Sequence, residues 1–435
     1  MSPTEWGIIG ICLLLLLLFL KMPIGFAMLL VGFTGVLVLK GVAGGFSVIS
    51  TEPFRTAATY VFSVIPLFIL MGYLAAHTGL SRDAFFALSK WVGQLRGGLA
   101  MGTVGACTMF SAISGDPISI AGTMSVVALP EMRKHGYSDQ LSLGALAGSG
   151  NLGFLIPPSL ALIVYGIITE QSIGTLFIAG MMPGLLLAFL FIVTIWLVCR
   201  INTQMAPQLP AASMVERLKS IWRIVGMLII IVLVLGGIYG GIFTPTEAAA
   251  VGVFGILVMG LATRRLTWRG FTTSLHEAAR ATGMIFILVI GAMTFSRFIA
   301  HSGLSAALTN FIAGLDIPSI FILIAVLIAF ILIGLILDIM AIVLIVVPIL
   351  HPVLVGLGFD PVWLTILTII VVLMGNVSPP VGIVVFALYG MVRDVPLFTI
   401  YRGVLPFILA MVVGLILVIA FPQIALWLPD MMRPG

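Results

Sequence analysis

Long apolar segments with almost no charge run through this sequence. The clearest examples span residues 8–20, 284–295 and 321–337. A helix that crosses the hydrocarbon core of a bilayer needs about 20 predominantly apolar residues. Only 8% of the 435 residues are charged, against ~25% in an ordinary soluble domain, so a soluble fold has too little polar surface to cover this chain. Uncharged apolar runs of this length are typical of membrane-spanning helices, and the sequence predicts an all-α polytopic membrane protein.

Charge and cysteine content argue against several other classes. The formal net charge of +5 comes from few charged residues, with no basic face of the kind that binds nucleic acid. The three cysteines, Cys12, Cys107 and Cys199, lie singly in apolar segments, which argues against a disulfide framework and a metal site. The sequence shows no cluster of nucleophile and base and no His-Glu-x-x-His motif, so an enzyme is the weakest interpretation.

The chain contains an internal repeat. Ala76-His77-Thr78-Gly79-Leu80-Ser81 recurs as Ala300-His301-Ser302-Gly303-Leu304-Ser305, and Pro157-Pro158 recurs as Pro379-Pro380. The offsets, 300 minus 76 and 379 minus 157, are 224 and 222. A nearly constant offset over most of a chain indicates duplication. We therefore predict a first repeat over 1–199, a polar linker over 200–221 and a second repeat over 222–435.

Basic residues predict that the two repeats have opposite orientations. The linker and its edge carry Arg200, Arg217, Lys219 and Arg223, which places this segment in the cytoplasm by the positive-inside rule. Segment 81–96 holds three basic residues, whereas its counterpart 305–318 holds none. The bias reverses at 264–280, which carries four arginines. Inverted repeats are a hallmark of secondary transporters, and the same count predicts that both chain termini are periplasmic.

Each repeat contains two interruptions within apolar sequence. The first lies at 111–117, matched by 334–338, and the second at 150–159, matched by 375–382. Paired prolines remove backbone donors and free the carbonyls one turn earlier, and free carbonyls in hydrocarbon are costly unless they bind something. Carbonyls and hydroxyls without compensating carboxylates suit a monovalent cation such as sodium. The alternative is a pair of proline kinks satisfied by neighbouring helices.

At these residues the chain resembles the large membrane subunit of tripartite ATP-independent periplasmic (TRAP) transporters, within the ion transporter superfamily. The resemblance covers essentially the whole chain. Four segments carry it: Gly153-Phe154-Leu155-Ile156-Pro157-Pro158-Ser159, Thr244-Pro245-Thr246-Glu247-Ala248, Asp338-Ile339-Met340-Ala341, and Ser378-Pro379-Pro380-Val381-Gly382.

The resemblance implies an elevator mechanism, in which a transport domain of two re-entrant helical hairpins and two broken helices slides against a scaffold. It also implies sodium as the driving ion and two partners, a small four-helix membrane subunit and a periplasmic substrate-binding protein. By motif position, the first sodium site is expected at Ser111, Ser114, Gly153, Ile156 and Pro158. The second is expected at Gly334, Gly375, Ser378 and Val381. The serines supply hydroxyls and the other residues main-chain carbonyls.

Five further residues are candidates for substrate binding or ion coupling. Asp116 stands at the first hairpin tip, where the family usually has small hydroxyl residues, and it either supports an extra cation or caps a helix. Asp338, at the second tip, has the same two interpretations. Asn151 and Asn376 flank the unwound segments and are expected to support them first and to contact substrate second. Arg297 either meets an anionic substrate or extends to the membrane interface.

Three local patterns make predictions about structure. Thr244-Pro245-Thr246-Glu247 fits a capping box at a helix start. The amphipathic stretches 84–96 and 268–280 mix tryptophan with Lys and Arg, which is typical of arms along the membrane surface.

The function expected from these features is sodium-coupled transport of a small organic anion, such as a carboxylate, sugar acid or sulfonate, across the bacterial inner membrane. An anion is favoured because helix N-termini at broken helices present positive dipole ends. The main alternative is a stand-alone sodium/dicarboxylate symporter of related fold. Dependence on partner proteins discriminates between the two.

Overall fold

A computed structural model describes residues 1–314 and 317–432. Every regular element in these ranges is helical, as the uncharged apolar segments predicted. Seven of the described helices are long and apolar enough to cross a membrane, or eight if one bent pair counts as a single span. The chain is therefore a multi-span helical membrane protein.

The first half of the chain forms nine helices before the linker. They are α1 (Pro3–Phe19), α2 (Ile24–Ala58), α3 (Val64–His77), α4 (Leu80–Val92), α5 (Gly98–Ser114), α6 (Pro117–Lys134), α7 (Asp139–Gly150), α8 (Leu160–Ile168) and α9 (Ile173–Ile201).

The second half continues with twelve described helices. They are α10 (Met214–Ile231), α11 (Gly237–Tyr239), α12 (Pro245–Ala262), α13 (Trp268–Ser302), α14 (Leu304–Ala313), α15 (Ser319–Gly334), α16 (Ile339–Ile345), α17 (Val347–Gly356), α18 (Pro361–Val377), α19 (Ile383–Met391), α20 (Leu397–Ala420) and α21 (Gln423–Met432). A π-helical turn, Val232–Gly236, joins α10 to α11, so this stretch forms one continuous span.

Side-chain caps fix several helix starts. Thr244 caps α12, and Glu247 closes the reciprocal hydrogen bond of a capping box, which confirms the prediction for this segment. Ser213 and Glu216 form the same box at the start of α10. Each box satisfies two backbone donors that a helix start leaves unpaired.

The two amphipathic stretches, 84–96 and 268–280, lie in helices of very different length. The first is covered by the short helix α4, which ends near Val92. The second does not form a separate arm, because α13 runs without a break from Trp268 to Ser302. Helix α4 is held to the loop after α12 by contact between the Asp83 carboxylate and the Arg265 guanidinium.

Backbone conformation repeats at equivalent positions of the two halves. Gly79 and Gly303 both have positive φ, as do Gly136 and Gly358. Gly41 has φ 77° inside α2, and Arg264, 223 residues later, has φ 54° between α12 and α13. The left-handed region is costly for most residues, so its recurrence at a constant spacing supports the duplication. The opposite orientation of the two copies stays a prediction.

Two groups of helices pack together, each drawn from both halves of the sequence, and α4 joins them because it contacts α5 as well as α10. In the first, the scaffold group, α2 lies along α13, and α12 packs on α3. In the second, the hairpin group, α7 packs on α20 and α15 on α18. Glycines allow the closest crossings, since a β-carbon on Gly291 would overlap the Gly25 backbone, and one on Gly144 would overlap Gly403.

The linker contacts both groups. The Ser138 amide, at the corner between α6 and α7, donates a 2.9 Å hydrogen bond to the Met205 carbonyl. Ala206 is buried beside this contact. At the other end, Arg217 on α10 donates a 2.7 Å hydrogen bond to Gln94, which follows α4. The linker thus joins a hairpin base to the scaffold group.

Candidate functional site

Helices α5 and α6 form the first hairpin, and its tip is a tight turn. Helix α5 ends at Ser114, and Gly115 follows with φ 63°. The Asp116 carboxylate then caps α6, accepting hydrogen bonds from the Ser119 amide at 2.9 Å and the Ser119 hydroxyl at 2.6 Å. The capping interpretation of Asp116 is therefore confirmed, while a role in ion coupling stays a prediction.

The second hairpin has the same construction. Helix α15 ends at Gly334, and Asp338 caps α16 by accepting a 3.0 Å hydrogen bond from the Met340 amide. Asp116 and Asp338 are 222 residues apart, so the repeat places one carboxylate at each tip.

The first unwound segment, residues 151–159, lies against the first hairpin tip. It separates α7 from α8 and is buried along its whole length. The Leu160 amide approaches the Gly115 carbonyl at 3.5 Å. A β-carbon on Gly115 would overlap the Pro158 carbonyl oxygen, so the tip is in direct contact with the unwound backbone.

The five residues predicted for the first sodium site lie on the two elements that meet here, while the contact itself is between Gly115 and Pro158. Ser111 and Ser114 end α5, and Gly153, Ile156 and Pro158 lie on the unwound segment. In the described part of the chain, the carbonyls of Ile156 and Pro158 accept no hydrogen bond, although both residues are buried. Buried carbonyls are nearly always paired, so two without a partner are unusual and mark a candidate ligand position.

The second unwound segment, residues 378–382, separates α18 from α19. Gly334 packs directly on Gly375, whose β-carbon would lie 2.7 Å from the Gly334 Cα atom. The Ser378 hydroxyl donates to the Met374 carbonyl at 2.6 Å. The Tyr401 hydroxyl lies 2.6 Å from the Val381 carbonyl. Gly334 and Gly375 are thus in direct contact beside this break, and a sodium site formed with Ser378 and Val381 stays a prediction.

Asn151 and Asn376 meet between the two breaks. The Asn151 amide nitrogen donates to the Leu373 carbonyl at 2.7 Å, and the Asn376 amide nitrogen donates to the Asn151 side-chain oxygen at 3.1 Å. The Asn376 side-chain oxygen is buried and has no hydrogen-bond partner among the described residues. The asparagines therefore link the two broken helices and leave one unpaired acceptor, while a contact with substrate stays a prediction.

The two breaks differ in their exposure. Residues 151–159 are buried, whereas Pro379 and Pro380 are exposed. Exposed apolar residues continue along the same side of the hairpin group, including Ile118 and Val126 on α6 and Phe386 on α19. The second break is therefore more accessible than the first.

Arg297 lies away from these tips. It sits on α13 in the scaffold group, and its guanidinium contacts the Glu52 carboxylate on α2. Glu52 is 1% exposed and Arg297 39% exposed. The structure therefore gives Arg297 a partner within the chain and does not bring it to the hairpins.

The oxygens at the two breaks fit an alkali cation better than a transition metal. No group of three or more His, Cys, Asp or Glu residues within 1–314 and 317–432 has metal-binding geometry. Main-chain carbonyls, hydroxyls and a side-chain amide oxygen are hard ligands of the type that sodium prefers.

Comparison with known proteins identifies the family. Residues 11–424 match the model of the DctM component of the tripartite ATP-independent periplasmic transporters. The chain belongs to this family. The match confirms the resemblance seen in the sequence. Members of this family are transporters, so the chain is a transporter and not an enzyme.

Full-length relatives support the assignment. The chain is 33% identical over 378 residues to the C4-dicarboxylate TRAP transporter large permease protein of Pseudomonas aeruginosa, with 87% of this chain and 88% of the relative covered. It is 31% identical over 416 residues to the sialic acid TRAP transporter large permease protein of Vibrio cholerae, covering 95% and 96%.

A solved structure supports the fold. The YdaH transporter of Alcanivorax borkumensis superimposes with a TM-score of 0.61 over 88% of this chain and 90% of that chain. At 16% identity, the match concerns the fold alone.

Three residues of interest were missed in the sequence. Glu52 is far from Arg297 in the chain, and nothing in its local pattern indicates a partner. Tyr401, on α20, contacts the Val381 carbonyl. Tyr73, on α3, lies near Asp116 and Ser119. A hydroxyl on an otherwise apolar membrane helix is the only signal that points to either tyrosine.

Proposed function

We propose that this TRAP permease carries a small organic anion across the bacterial inner membrane together with sodium. The observation that carries the proposal is the pair of buried, unpaired carbonyls, Ile156 and Pro158, against the first hairpin tip. Such oxygens are costly in a membrane interior unless they coordinate something. The hydroxyl of Ser114, 4% exposed, lies at the same tip and supplies a further ligand.

The second break supplies the place for the anion. Helix α19 begins at Ile383 after Gly382, which provides no side-chain cap. Its first amides are therefore open to an anion, and the helix dipole favours negative charge there. The N-termini of α6 and α16 are instead occupied by Asp116 and Asp338. Carboxylates are the favoured substrates, because dicarboxylate and sialic acid are named for two relatives.

Movement of the hairpin group against the scaffold group is the proposed transport step. Each hairpin tip lies against or beside a break, and both tips and both breaks belong to the hairpin group. Ion and substrate sites built in this way travel together as one unit. The exposed second break then corresponds to a state that is open to one side of the membrane.

Two partners complete the proposed transporter. The family is tripartite by description, and the relatives are named large permeases, so a small membrane subunit and a periplasmic substrate-binding protein are expected. If the chain is instead a stand-alone symporter, it transports alone. Uptake by proteoliposomes with this chain alone, at the rate seen with both partners, would exclude the tripartite proposal.

Sodium coupling is tested in proteoliposomes that contain the partner proteins. Uptake should require an inward sodium gradient, and Ser114→Ala should raise the sodium concentration for half-maximal uptake about five-fold, because one oxygen ligand is lost. Ser378→Ala should act in the same direction. Ser142→Ala is the matched control, since Ser142 is buried on α7 and donates back to the Ser138 carbonyl. Equal uptake with potassium would reject sodium.

A further inference from the structure

A separate cavity lies within the scaffold group, at the corner where α3 meets α4 and beside α10 and α12. Its volume is about 320 Å³, within the range of ~300–1,000 Å³ that holds small ligands. Its wall includes Thr78, Trp222, Arg223, Met259, Thr263 and Arg265. None of these residues belongs to the hairpins or the breaks.

Two guanidinium groups give this cavity a positive charge. Arg265 follows α12 and is oriented by its contact with the Asp83 carboxylate. Arg223 lies on α10, is exposed, and has no carboxylate partner within residues 1–314 and 317–432. Arg264, Arg269 and Lys219 lie nearby in the sequence. An unpaired arginine beside a paired one leaves the cavity suited to an anion.

The cavity lies beside an exposed apolar surface of α10. Met214, Val215, Leu218 and Trp222 are exposed along the start of α10, and Trp222 is 79% exposed. Their spacing of three to four residues places most of them on one side of the helix. Both α10 and α12 belong to candidate membrane spans. Tryptophan is enriched at the level of lipid headgroups, so Trp222 indicates that the cavity lies at this depth.

We propose that the cavity binds the phosphate group of an anionic phospholipid. Guanidinium groups hold phosphate oxygens through paired hydrogen bonds, and Arg223 and Arg265 supply two such groups. Basic pockets between membrane helices on the cytoplasmic side bind anionic headgroups in this way. The exposed apolar face of α10 lies beside the pocket and receives the acyl chains, which a soluble phosphate lacks.

Native mass spectrometry of the purified full-length chain tests the site. The probe is phosphatidylglycerol titrated into neutral detergent, and the readout is the fraction of protein that retains one lipid. Arg223→Gln should raise the half-saturating lipid concentration about five-fold, while Arg223→Lys should weaken binding less, because it keeps the charge and loses only the paired hydrogen bonds. Arg269→Gln is the matched control, because it removes one exposed positive charge outside the cavity wall.

Two results would overturn the proposal. An equal weakening by Arg223→Gln and Arg269→Gln, or no change in either, would show that any attraction is diffuse and not localised at the cavity. Displacement of the lipid by millimolar inorganic phosphate would show that the site takes a soluble phosphate and not a lipid headgroup. Retention of lipid in the presence of inorganic phosphate, with the loss confined to Arg223→Gln, supports the assignment.

Discussion

Asp116 and Asp338 show how one side chain can serve both structure and transport. Each accepts a backbone hydrogen bond at a helix start, and the repeat places one carboxylate at each hairpin tip. Asparagine caps a helix about as well as aspartate. A change from Asp to Asn therefore preserves the cap and removes only the charge.

Asp338→Asn should abolish most transport while leaving a folded, membrane-inserted protein, since the carboxylate charge offsets a cation in the proposed site. Uptake at limiting sodium is the measurement. Asp360→Asn is the matched control, because Asp360 caps α18 with two 2.9 Å hydrogen bonds outside the tips. If the Asp338→Asn variant takes up substrate at the wild-type rate, Asp338 has no role in transport and serves only as the helix cap.

The ion pair in the scaffold group makes a different prediction. Arg297→Gln leaves the buried Glu52 carboxylate without its ion-pair partner, so the melting temperature of the protein in detergent should fall. The loss should be smaller than the ~3–5 kcal/mol typical of a fully buried pair, because Arg297 is 39% exposed. The double variant Glu52→Gln/Arg297→Gln should recover most of the stability, and Arg280→Gln, an exposed arginine on the same helix, should change little. A fall caused equally by Arg280→Gln would contradict this account.

Among the helices, the α7–α20 crossing depends on the absence of a side chain. Gly144→Ala places a methyl group against the Gly403 backbone, and overpacking of this kind costs about 1–3 kcal/mol. Gly283→Ala is the control, because a β-carbon there meets nothing within 4 Å and alanine favours the helix. The first variant should lower the melting temperature and the second should not. Equal effects would show that glycine acts through helix propensity alone.

The breaks were predictable from the sequence, but their free oxygens were not. Proline pairs and glycines mark residues 151–159 and 378–382 because both residue types disrupt a helix locally. Whether a freed carbonyl is satisfied depends on residues far away in the chain. The Tyr401 hydroxyl, for example, donates a hydrogen bond to the Val381 carbonyl, whereas the Ile156 carbonyl accepts none from the described residues. Local pattern carries no information about such pairings.

For the molecule as a whole, the repeat was visible in the sequence but the packing groups were not. A constant offset identifies equivalent residues, such as Asp116 and Asp338. It does not say that helices from both halves mix in each group, because that depends on which apolar faces match. Apolar membrane helices give a weak facial pattern, and α12 is apolar almost all round.

Cysteine labelling tests the predicted inversion. Lys134→Cys should react only from the cytoplasm and Val355→Cys only from the periplasm, in a background that lacks Cys12, Cys107 and Cys199. Both positions are exposed, and they avoid Gly136 and Gly358, whose positive φ would strain a cysteine. Labelling of both from the same side would disprove inverted repeats.

The linker sets a mechanical limit on the proposed sliding. Met205 is fastened to the hairpin group through the Ser138 amide, and Met214 begins α10 in the scaffold group. The nine steps between them reach about 30 Å when fully extended, which is close to the ~30 Å thickness of the hydrocarbon core. The segment therefore acts as a tether: at no point of the movement can these two anchors be more than about 30 Å apart unless Met205 is first released from Ser138.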